Sequence, residues 1–462
     1  MKKWKKFAAL GLAGIMVFSL SACGGGSDTQ EAAPAPAPAA DETDAADEAP
    51  AEETDGGAAQ EAKEYEPVTL TFWNGFTSTD GEVLQQIVDD FNASNEWNIT
   101  IEMDVMPWDT FNEKLPAAIA AGDAPDFVLC SSGYYVPYVE AGSFVDVSEF
   151  YDLPGVDKND FDPNVVDLLY YDDLCVGIPM QMVSHYFYWD KDLYAEAGLD
   201  PETPPQTWDE LVEYARKLDV KKDDGSYERL GFYPGTLEWN AWAFSADGKD
   251  YTDADGNVTV NTPEKVELFE NIYTDFYEYY GKKELDSFSA EFGSGMTNPF
   301  VAGKVAMWVN TPTEFTKVRD FAPEKNYGVA LMPALKEGGE HYSWGGGFSV
   351  EIPYGAKDVA GSWEFAKFIT SKESQVYWAS QVYDTVANIE ASQDPSLMEI
   401  PVFEAALEAM PTTVVTLDRL TAPGASDIVL PYLDEIILGN KTPQEALDEA
   451  QAQVVQLVED NK

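Results

Sequence analysis

The sequence Val68-Thr-Leu-Thr-Phe-Trp73 begins the part of the chain that decides the fold. Its β-branched and aromatic residues predict a strand, which ends at the turn Asn74-Gly75. Apolar residues then recur every three to four positions over residues 82–91, which predicts a helix with one buried face. The alternation continues with a strand, a helix and a strand at Ile99–Val105, 109–121 and 127–129. This order predicts an α/β fold in which parallel strands are joined by right-handed crossovers.

Helices further along the chain carry recognisable start signals. Thr207-Trp-Asp-Glu210 and Thr442-Pro-Gln-Glu445 each have the spacing of a capping box, in which the two end residues bond to each other's backbone N–H. Thr262-Pro263 begins another helix, which Gly281 can end. Residues 251–258 have acidic residues at calcium-loop spacing but lack the loop's glycine and final glutamate, so we interpret them as a hairpin turn.

The first 22 residues have the features of an export signal. Met1-Lys-Lys-Trp-Lys-Lys6 is basic, and the apolar run after it is too short to span a membrane comfortably. Leu20-Ser-Ala-Cys23 then resembles the lipobox of bacterial lipoproteins, in which the signal is cut before the cysteine and the thiol is acylated. We therefore predict a lipoprotein signal peptide over residues 1–22 and lipidation of Cys23. An ordinary secretory signal is the alternative.

Residues 23–66 comprise the predicted lipidated cysteine and a tether. Between Gly24 and Glu66 there are 13 acidic residues and one basic residue, with many Pro, Ala and Gly and no aromatic residue before Tyr65. Such a segment repels itself and cannot bury much apolar surface, so we expect it to be disordered. The globular body over residues 67–462 is also acidic, with a net charge of −47.

Composition and motif content exclude several functional classes. The whole chain has 83 acidic and 28 basic residues, and its formal charge of −55 disfavours nucleic acid as a partner. Three cysteines and two histidines are too few for a zinc finger, an iron–sulfur cluster or a disulfide framework, so we predict no metal and no cofactor. No P-loop, Gly-x-Ser-x-Gly or His-Glu-x-x-His motif occurs. The sequence leaves open whether Cys130 and Cys175 pair, and it favours packing roles for His185 and His341.

An ordered set of short motifs covers essentially all of residues 67–462. It includes Gly122-Asp-Ala-Pro-Asp126, Gly177-Ile-Pro-Met180, Pro205-Gln-Thr-Trp-Asp-Glu-Leu211, Phe300-Val-Ala-Gly-Lys-Val-Ala-Met307 and Leu438-Gly-Asn-Lys-Thr-Pro-Gln-Glu-Ala-Leu447. In this order, behind a lipobox and a tether, the motifs resemble extracellular solute-binding protein family 1. That family contains maltose-binding protein and many sugar-binding lipoproteins of ABC importers.

The resemblance implies a two-lobed α/β clamshell of the periplasmic-binding-protein type II kind, hinged around a ligand cleft. It assigns residues to the lobes as follows: 67–179 and 343–395 to lobe 1, and 180–342 and 396–462 to lobe 2. Gly177-Ile-Pro-Met180 and residues 341–347 would then cross between the lobes. Thr313 departs from the pattern, because maltose-binding relatives often have an aromatic residue in its region. A maltose-type contact set is therefore not carried over intact.

A carbohydrate site needs aromatic faces for the C–H sides of sugar rings and polar groups for their hydroxyls. Trp239 and Trp344 are the main aromatic candidates, with Tyr134 and Trp73 as weaker ones. The hydrogen-bonding candidates align with cleft-facing loops of the family and, together with the crossover residue Gly345, are Asn74, Ser131, Ser132, Gln181, Glu238 and Asn310. Core packing, a cap or a turn is the alternative role for each, and Asp126 is expected to be structural.

The predicted function is capture of a carbohydrate, in particular an oligosaccharide, without catalysis. The resemblance implies delivery to a membrane permease with a separate ATPase. It also implies a monomer, held by its lipid anchor at the extracellular face of the bacterial cytoplasmic membrane. Two alternatives stay open: a polyamine or other cationic solute would suit the acidic body, and an extracellular glycosidase is the enzyme alternative. Carboxylates clustered within the cleft would favour the cationic ligand.

Overall fold

The structure is a computed structural model that describes residues 66–131, 142–171, 174–253, 255–416, 419 and 421–461. Its strands are β1 Val68–Asn74, β2 Ile99–Val105, β3 Phe127–Ser131, β4 Tyr170–Tyr171, β5 Leu174–Cys175, β6 Gly177–Ser184, β7 Tyr186–Asp190, β8 Val220–Lys221, β9 Tyr227–Arg229, β10 Met307–Asn310, β11 Tyr327–Ala330, β12 Ser343–Glu351 and β13 Thr413–Val415.

The α-helices lie between these strands and after them. They are α1 Ser78–Ser94, α2 Trp108–Ala121, α3 Pro163–Leu168, α4 Lys191–Glu196, α5 Trp208–Leu218, α6 Trp239–Asp247, α7 Pro263–Ile272, α8 Lys282–Ser289, α9 Glu314–Phe321, α10 Val359–Ile369, α11 Lys372–Val382, α12 Ile389–Ser392, α13 Pro401–Ala409, α14 Ala425–Ile437 and α15 Pro443–Asp460. A π-helical stretch, Tyr273–Gly281, joins α7 to α8.

A six-stranded sheet combines four strands from the first part of the chain with two later ones. Its strand order is β13-β12-β3-β1-β2, and β6 lies along the other edge of β12. Strand β1 pairs in parallel with both β2 and β3, as the order of elements predicts. Strand β12 comes from much later in the chain and runs antiparallel to β3 and β6. The parallel strands β1 and β3 therefore end at the same edge of the sheet.

Buried side chains form two hydrophobic clusters. The first surrounds the six-stranded sheet, and the second lies among helices α5 to α7 and α14 to α15. The three-stranded antiparallel sheet β10-β7-β11 contributes to both. Successive residues of a strand face opposite sides, so Tyr186 and Tyr188 belong to the first cluster while Phe187 and Trp189 belong to the second. This mixed α/β, two-lobed architecture confirms the predicted fold class.

The chain passes from the six-stranded sheet to the three-stranded sheet between β6 and β7. The motif at Gly177–Ser184 is strand β6 of the six-stranded sheet, whereas Tyr186 begins β7 of the three-stranded sheet. The crossing of Gly177-Ile-Pro-Met180 between the lobes stays a prediction, and the change of sheet occurs at His185. The close packing of β12 on β6 requires glycine at Gly345, because a Cβ on this residue would lie 2.1 Å from the carbonyl oxygen of Val183.

The helix start signals are confirmed with one difference. Both bonds of the capping box at Thr442 are present. Thr207 accepts the backbone N–H of Glu210 as predicted, but the Glu210 carboxylate accepts the N–H of Gln206 rather than that of Thr207. Gly281, with φ +84°, separates the π-helical stretch from α8. The signals thus locate helix starts correctly even where one reciprocal bond shifts by a residue.

Buried polar groups connect the strands of the six-stranded sheet to their surroundings. The Asp126 carboxylate accepts the N–H and the hydroxyl of Thr71 and the N–H of Lys357. Asp126 is fully buried, so its predicted structural role is confirmed. Cys130 and Cys175 are both buried free thiols.

Candidate functional site

Two predicted site residues lie where parallel strands of the six-stranded sheet end. Asn74 ends β1 and is fully buried. Its Oδ1 accepts the N–H of Phe76, and its Nδ2 has no hydrogen-bond partner among the described residues. Ser131 ends β3 and is half-buried. Because ligands of open α/β sheets bind beyond the carboxyl ends of parallel strands, this edge is one wall of the candidate site.

Gln181 takes part in a polar cluster with the carboxyl groups of Asp384, which is buried, and of Asp80, which is half-buried. Its Nε2 donates to Oδ2 of Asp384 at 3.0 Å, and both side chains are buried. Gln181 Oε1 and Asp384 Oδ1 have no hydrogen-bond partner among the described residues. Burial, and then the charge of Asp80, raises the pKa of Asp384 to about 7. Burial also raises the pKa of Asp80, which lies in the first turn of α1.

Hydroxyl groups join three chain segments where the two sheets meet. Ser184 ends β6, Ser343 begins β12 and Thr413 begins β13. The Ser184 Oγ lies 3.1 Å from Ser343 Oγ and 2.8 Å from Thr413 Oγ1. The Ser343 hydroxyl also donates to the carbonyl of His185 at 2.8 Å. These bonds hold the three segments together in one region where the two sheets meet.

Trp344 lies beside this hydroxyl cluster. Its ring stacks on His185 with centroids 5.1 Å apart and an interplanar angle of 19°. Its Nε1 donates to Oγ1 of Thr416 at 3.1 Å. His185 Nδ1 lies 2.8 Å from the Trp344 carbonyl oxygen, and burial lowers the pKa of His185. Stacking on a neutral imidazole uses one face of the indole, so a sugar ring has access to at most the opposite face.

The start of α6 brings Glu238 and Trp239 together. Glu238 is the exposed N-cap residue, and Trp239 is half-buried with its ring meeting Tyr277 edge-on at 6.1 Å. They line a cavity of about 430 Å³ together with Gly235, Thr236, Leu237, Asn240 and Leu430. Small-molecule sites typically have volumes of about 300–1,000 Å³. An indole and a carboxylate in one cavity supply both the apolar face and the hydrogen-bond acceptor that a sugar ring requires.

Asn310 has its side-chain hydrogen bonds within the protein. Its Nδ2 donates to Oε2 of Glu314 at 2.9 Å, and its Oδ1 accepts the N–H of Thr311. Glu314 is fully buried, and burial raises the pKa of its carboxyl group. These bonds favour the alternative role that the sequence left for Asn310, which is to fix the turn between β10 and α9.

The remaining predicted residues are distributed as follows. Trp73 is half-buried and packs against the first hydrophobic cluster. Gly345 is a buried backbone position of β12 that pairs with Ser184 and with β13. Ser132 and Tyr134 lie outside the described residues. The structure therefore unites Glu238 with Trp239, whereas Trp73 and Gly345 lie at separate places in the six-stranded sheet.

Two acidic residues of the polar cluster, Asp80 and Asp384, were not predicted from the sequence. The body contains 70 acidic residues, so a single carboxylate has no distinguishing pattern. The local signal at Asp384 is weak: it lies between Val382 and Val386, which are typical of a core. Their proximity depends on the packing of α11 against α1, which joins residues about 300 positions apart.

Within the part of the chain that the structure describes, no group of three or more His, Cys, Asp or Glu side chains is arranged to hold a metal ion. The turn at residues 251–258 is instead closed by its own bonds, because Asp253 accepts the N–H of Asn257 and Thr252 pairs with Val258. The interpretation of this segment as a hairpin turn is confirmed. The same described residues include no helix with both the length and the apolar character needed to cross a bilayer.

Comparison with known families gives one match that covers most of the chain. Residues 75–376 match the family described as bacterial extracellular solute-binding protein. The matched range contains the α6 cavity residues Glu238 and Trp239, and also Gln181 and Trp344.

Similar proteins extend the comparison over nearly the whole body. The sn-glycerol-3-phosphate-binding periplasmic protein of Escherichia coli (strain K12) is 26% identical over 419 residues, which cover 83% of this chain and 90% of that protein. The solved structure of CpMnBP1 with mannotriose bound is 26% identical with a TM-score of 0.72, and covers 84% of this chain and 100% of that one. The sugar-binding protein MalE of Xanthomonas citri, at 19% identity, has the same fold with a TM-score of 0.71 over 85% of this chain and 98% of that one.

Proposed function

This chain belongs to the bacterial extracellular solute-binding proteins, and from this we propose that it captures a carbohydrate and delivers it, as a monomer, to an ABC permease with a separate ATPase. The observation that carries the proposal is the cavity of about 430 Å³ lined by Trp239 and Glu238. The indole offers a flat apolar surface to a sugar ring, and the carboxylate accepts hydrogen bonds from its hydroxyls.

The similarity to CpMnBP1 supports an oligosaccharide as the ligand, because that protein is solved with mannotriose bound. The Escherichia coli relative binds a phosphate ester. A phosphate would have to approach a body whose net charge is −47 and whose polar cluster contains two carboxyl groups. Charge repulsion therefore favours a neutral sugar over a phosphorylated one for this chain.

A cationic solute such as a polyamine is the second candidate, and the electrostatic interaction between the carboxyl groups of Asp80 and Asp384 is the observation that favours it. The pKa of Asp384, about 7, weakens this alternative because the carboxyl group is partly protonated at neutral pH and then attracts a cation less. We further propose that the protein has no catalytic activity. Incubation with mannotriose would reveal shorter products if it were a glycosidase.

Replacement of Trp239 by alanine should weaken mannotriose binding about thirtyfold. Loss of a stacked indole at a binding hot spot costs about 2 kcal/mol. Titration calorimetry of the wild type and W239A at low and high salt would measure this change. Binding of a neutral sugar should respond little to ionic strength, whereas polyamine binding should weaken steeply because salt screens the attraction between charges.

Trp97 provides the matched control for this substitution. It is also half-buried, but it stacks on Phe91 with centroids 6.5 Å apart, near the start of β2 and far along the strand from the carboxyl edge. The variant W97A should therefore bind mannotriose as the wild type does. Equal affinities of W239A and W97A would show that the α6 cavity is not the sugar site.

We also propose that the protein is a lipoprotein, with a signal peptide over residues 1–22 and a lipid on Cys23. The motif Leu20-Ser-Ala-Cys23 supports this proposal. Acyl chains stabilise membrane association by about 0.8 kcal/mol per buried CH₂, so several chains on one cysteine would anchor the protein without a membrane-spanning helix. The acidic tether would then separate the binding body from the membrane surface.

Replacement of Cys23 by alanine should move the protein from the membrane fraction to the medium or leave it as an uncleaved precursor, because the acylated thiol is lost. Fractionation of cells followed by mass measurement of the chain would detect either result. The variant S21A, which keeps the cysteine, is the control and should stay with the membrane. Fully processed C23A that remains in the membrane fraction would contradict lipidation.

A further inference from the structure

The helix that begins at Pro263 changes its winding beside the α6 cavity. Residues Pro263–Ile272 are α-helical, and the nine residues Tyr273–Gly281 continue as a π-helix. π-Helices have wider turns than α-helices, are rare, and occur mostly as single turns that are frequently found at functional sites. This stretch is longer than a single turn, and the ring of Tyr277 at its centre contacts the cavity residue Trp239.

Tyr277 supports the ring of Trp239 without lining the cavity itself. It is 5% exposed, and its ring centroid lies 6.1 Å from that of Trp239 at an interplanar angle of 69°. Within the part of the chain that the structure describes, this is the one ring contact that Trp239 makes. The described residues that line the cavity include Trp239 but not Tyr277. An influence of Tyr277 on a bound ligand must therefore pass through a neighbouring side chain.

Tyr277 also connects to a second part of the cavity wall. Its hydroxyl group interacts with that of Tyr233. The Tyr233 hydroxyl lies directly against Gly235, where an added Cβ would be 2.6 Å from it. Thr236 donates its hydroxyl to the carbonyl of Tyr233 at 3.1 Å. Because Gly235, Thr236 and Trp239 all line the cavity, one tyrosine side chain contacts or braces its wall in two places.

The π-helical winding explains how Tyr277 reaches α6. The neighbouring residue Phe276 is also buried, but its ring meets Trp208 of α5 at 5.9 Å. In an α-helix, with about 3.6 residues per turn, residues four positions apart are offset around the axis, and a wider turn reverses this offset. The change of winding thus lets Phe276 continue the buried row of Ile272 while Tyr277 packs on Trp239.

We propose that Tyr277, held by the π-helical stretch Tyr273–Gly281, is a positioning residue that fixes the Trp239 indole in the orientation that stacks on a sugar ring. This proposal rests on the proposed function, because it assigns a role at the same cavity. An indole that is already fixed does not lose conformational freedom when the ligand binds, so less of the interaction energy is spent on ordering it. The affinity for the sugar then depends on a side chain that does not touch the sugar.

The test is a double-mutant cycle, measured by calorimetric titration with mannotriose on the wild type, Y277L, W239A and Y277L/W239A. We expect Y277L alone to raise the Kd about fivefold, because the freed indole must be ordered on binding. In the W239A background the same substitution should leave the Kd unchanged, because no indole remains to be positioned. Y277F, which keeps the ring that contacts Trp239, should bind mannotriose as the wild type does.

Tyr280 provides the matched control on the same π-helical stretch. It is 8% exposed, its hydroxyl donates to Asp219 at 2.8 Å, and its ring stacks on Phe276. Y280L should lower the thermal unfolding temperature at least as much as Y277L does, yet bind mannotriose as the wild type does. If Y277L does not unfold cooperatively, Y277M takes its place in the cycle, because the flexible methionine side chain fills the space without a ring.

Each other outcome overturns the inference, and the outcomes separate it from the proposed function. An unchanged Kd in Y277L, with binding by W239A weakened about thirtyfold, would show that the indole does not need Tyr277, while the carbohydrate function stands. An equal rise in Kd with and without Trp239 would show that Tyr277 acts independently of the indole. A rise in Y280L as large as that in Y277L would assign the effect to a general loss of helix stability. Wild-type affinity in W239A would remove the α6 cavity from sugar binding, and the inference would then fail together with the observation that carries the proposed function.

Discussion

Replacement of Lys265 by methionine should lower the free energy of unfolding by about 3–5 kcal/mol. Lys265 is completely buried near the start of α7, and its Nζ donates to Oδ1 of Asp247 at 2.7 Å. The Asp247 side chain is also buried and accepts the hydroxyl of Thr262 at 2.6 Å through its other oxygen. Removing the ammonium group leaves a buried carboxylate with only neutral donors, the Thr262 hydroxyl and the Lys249 N–H. Breaking a buried ion pair in this way costs about 3–5 kcal/mol.

Urea unfolding of the purified protein would measure this loss, with K282M as the matched control. Lys282 forms an ion pair with Asp286 at the same distance of 2.7 Å, but both side chains are exposed. Exposed pairs four residues apart on a helix contribute only about 0.3–0.5 kcal/mol, so K282M should unfold nearly as the wild type does. The double variant K265M/D247L removes both charges and should recover much of the lost stability. Similar losses for K265M and K282M would contradict the expected role of burial.

The beginning of the fold could be predicted from the sequence because its burial is periodic. From β1 to β2, apolar residues follow the period of a strand, then of a helix, then of a strand, and parallel pairing follows from that order. The position of β12 could not be predicted in this way. Near its start, Trp344-Gly-Gly-Gly347 has the composition of a linker. These residues nevertheless form a strand that pairs with β6, and the glycine at Gly345 allows the close backbone contact that this pairing requires.

The candidate site likewise has a part that the sequence predicts and a part that it does not. Glu238 and Trp239 are neighbours in sequence, so their proximity in one cavity could be predicted without knowledge of the tertiary structure. Asp80 and Asp384 become a pair only through the packing of α1 on α11. The raised pKa of Asp384 comes first from burial, which a sequence pattern does not reveal for one acid among 70. The hydrogen bonds of Asn310 to Glu314 and Thr311 likewise could not be predicted without the geometry of the turn.

Replacement of Glu351 by glutamine should make the protein more stable at neutral pH, and the gain should grow with pH. Glu351 on β12 is completely buried, and burial raises the pKa of its carboxyl group well above its usual range. Its Oε1 accepts the hydroxyl of Ser349, and the Cys130 thiol lies beside it. The folded state therefore holds this carboxyl group protonated, whereas the unfolded chain releases the proton at ordinary acidic pH.

The sign of the effect follows from proton linkage. A carboxyl group whose pKa is raised by folding contributes its stability below the unfolded pKa, and that stability is lost as the pH rises towards the folded pKa. The wild type should thus lose about 1.4 kcal/mol relative to E351Q for each pH unit between about pH 4.5 and neutral pH. Unfolding in urea at several pH values would give this difference, and E82Q, on the exposed face of α1, should show none. A constant difference between the wild type and E351Q across this range would mean that Glu351 is ionised in the folded protein. In that case some group close to β12 must supply the positive charge or the hydrogen bonds that a buried carboxylate requires, because burial alone opposes ionisation.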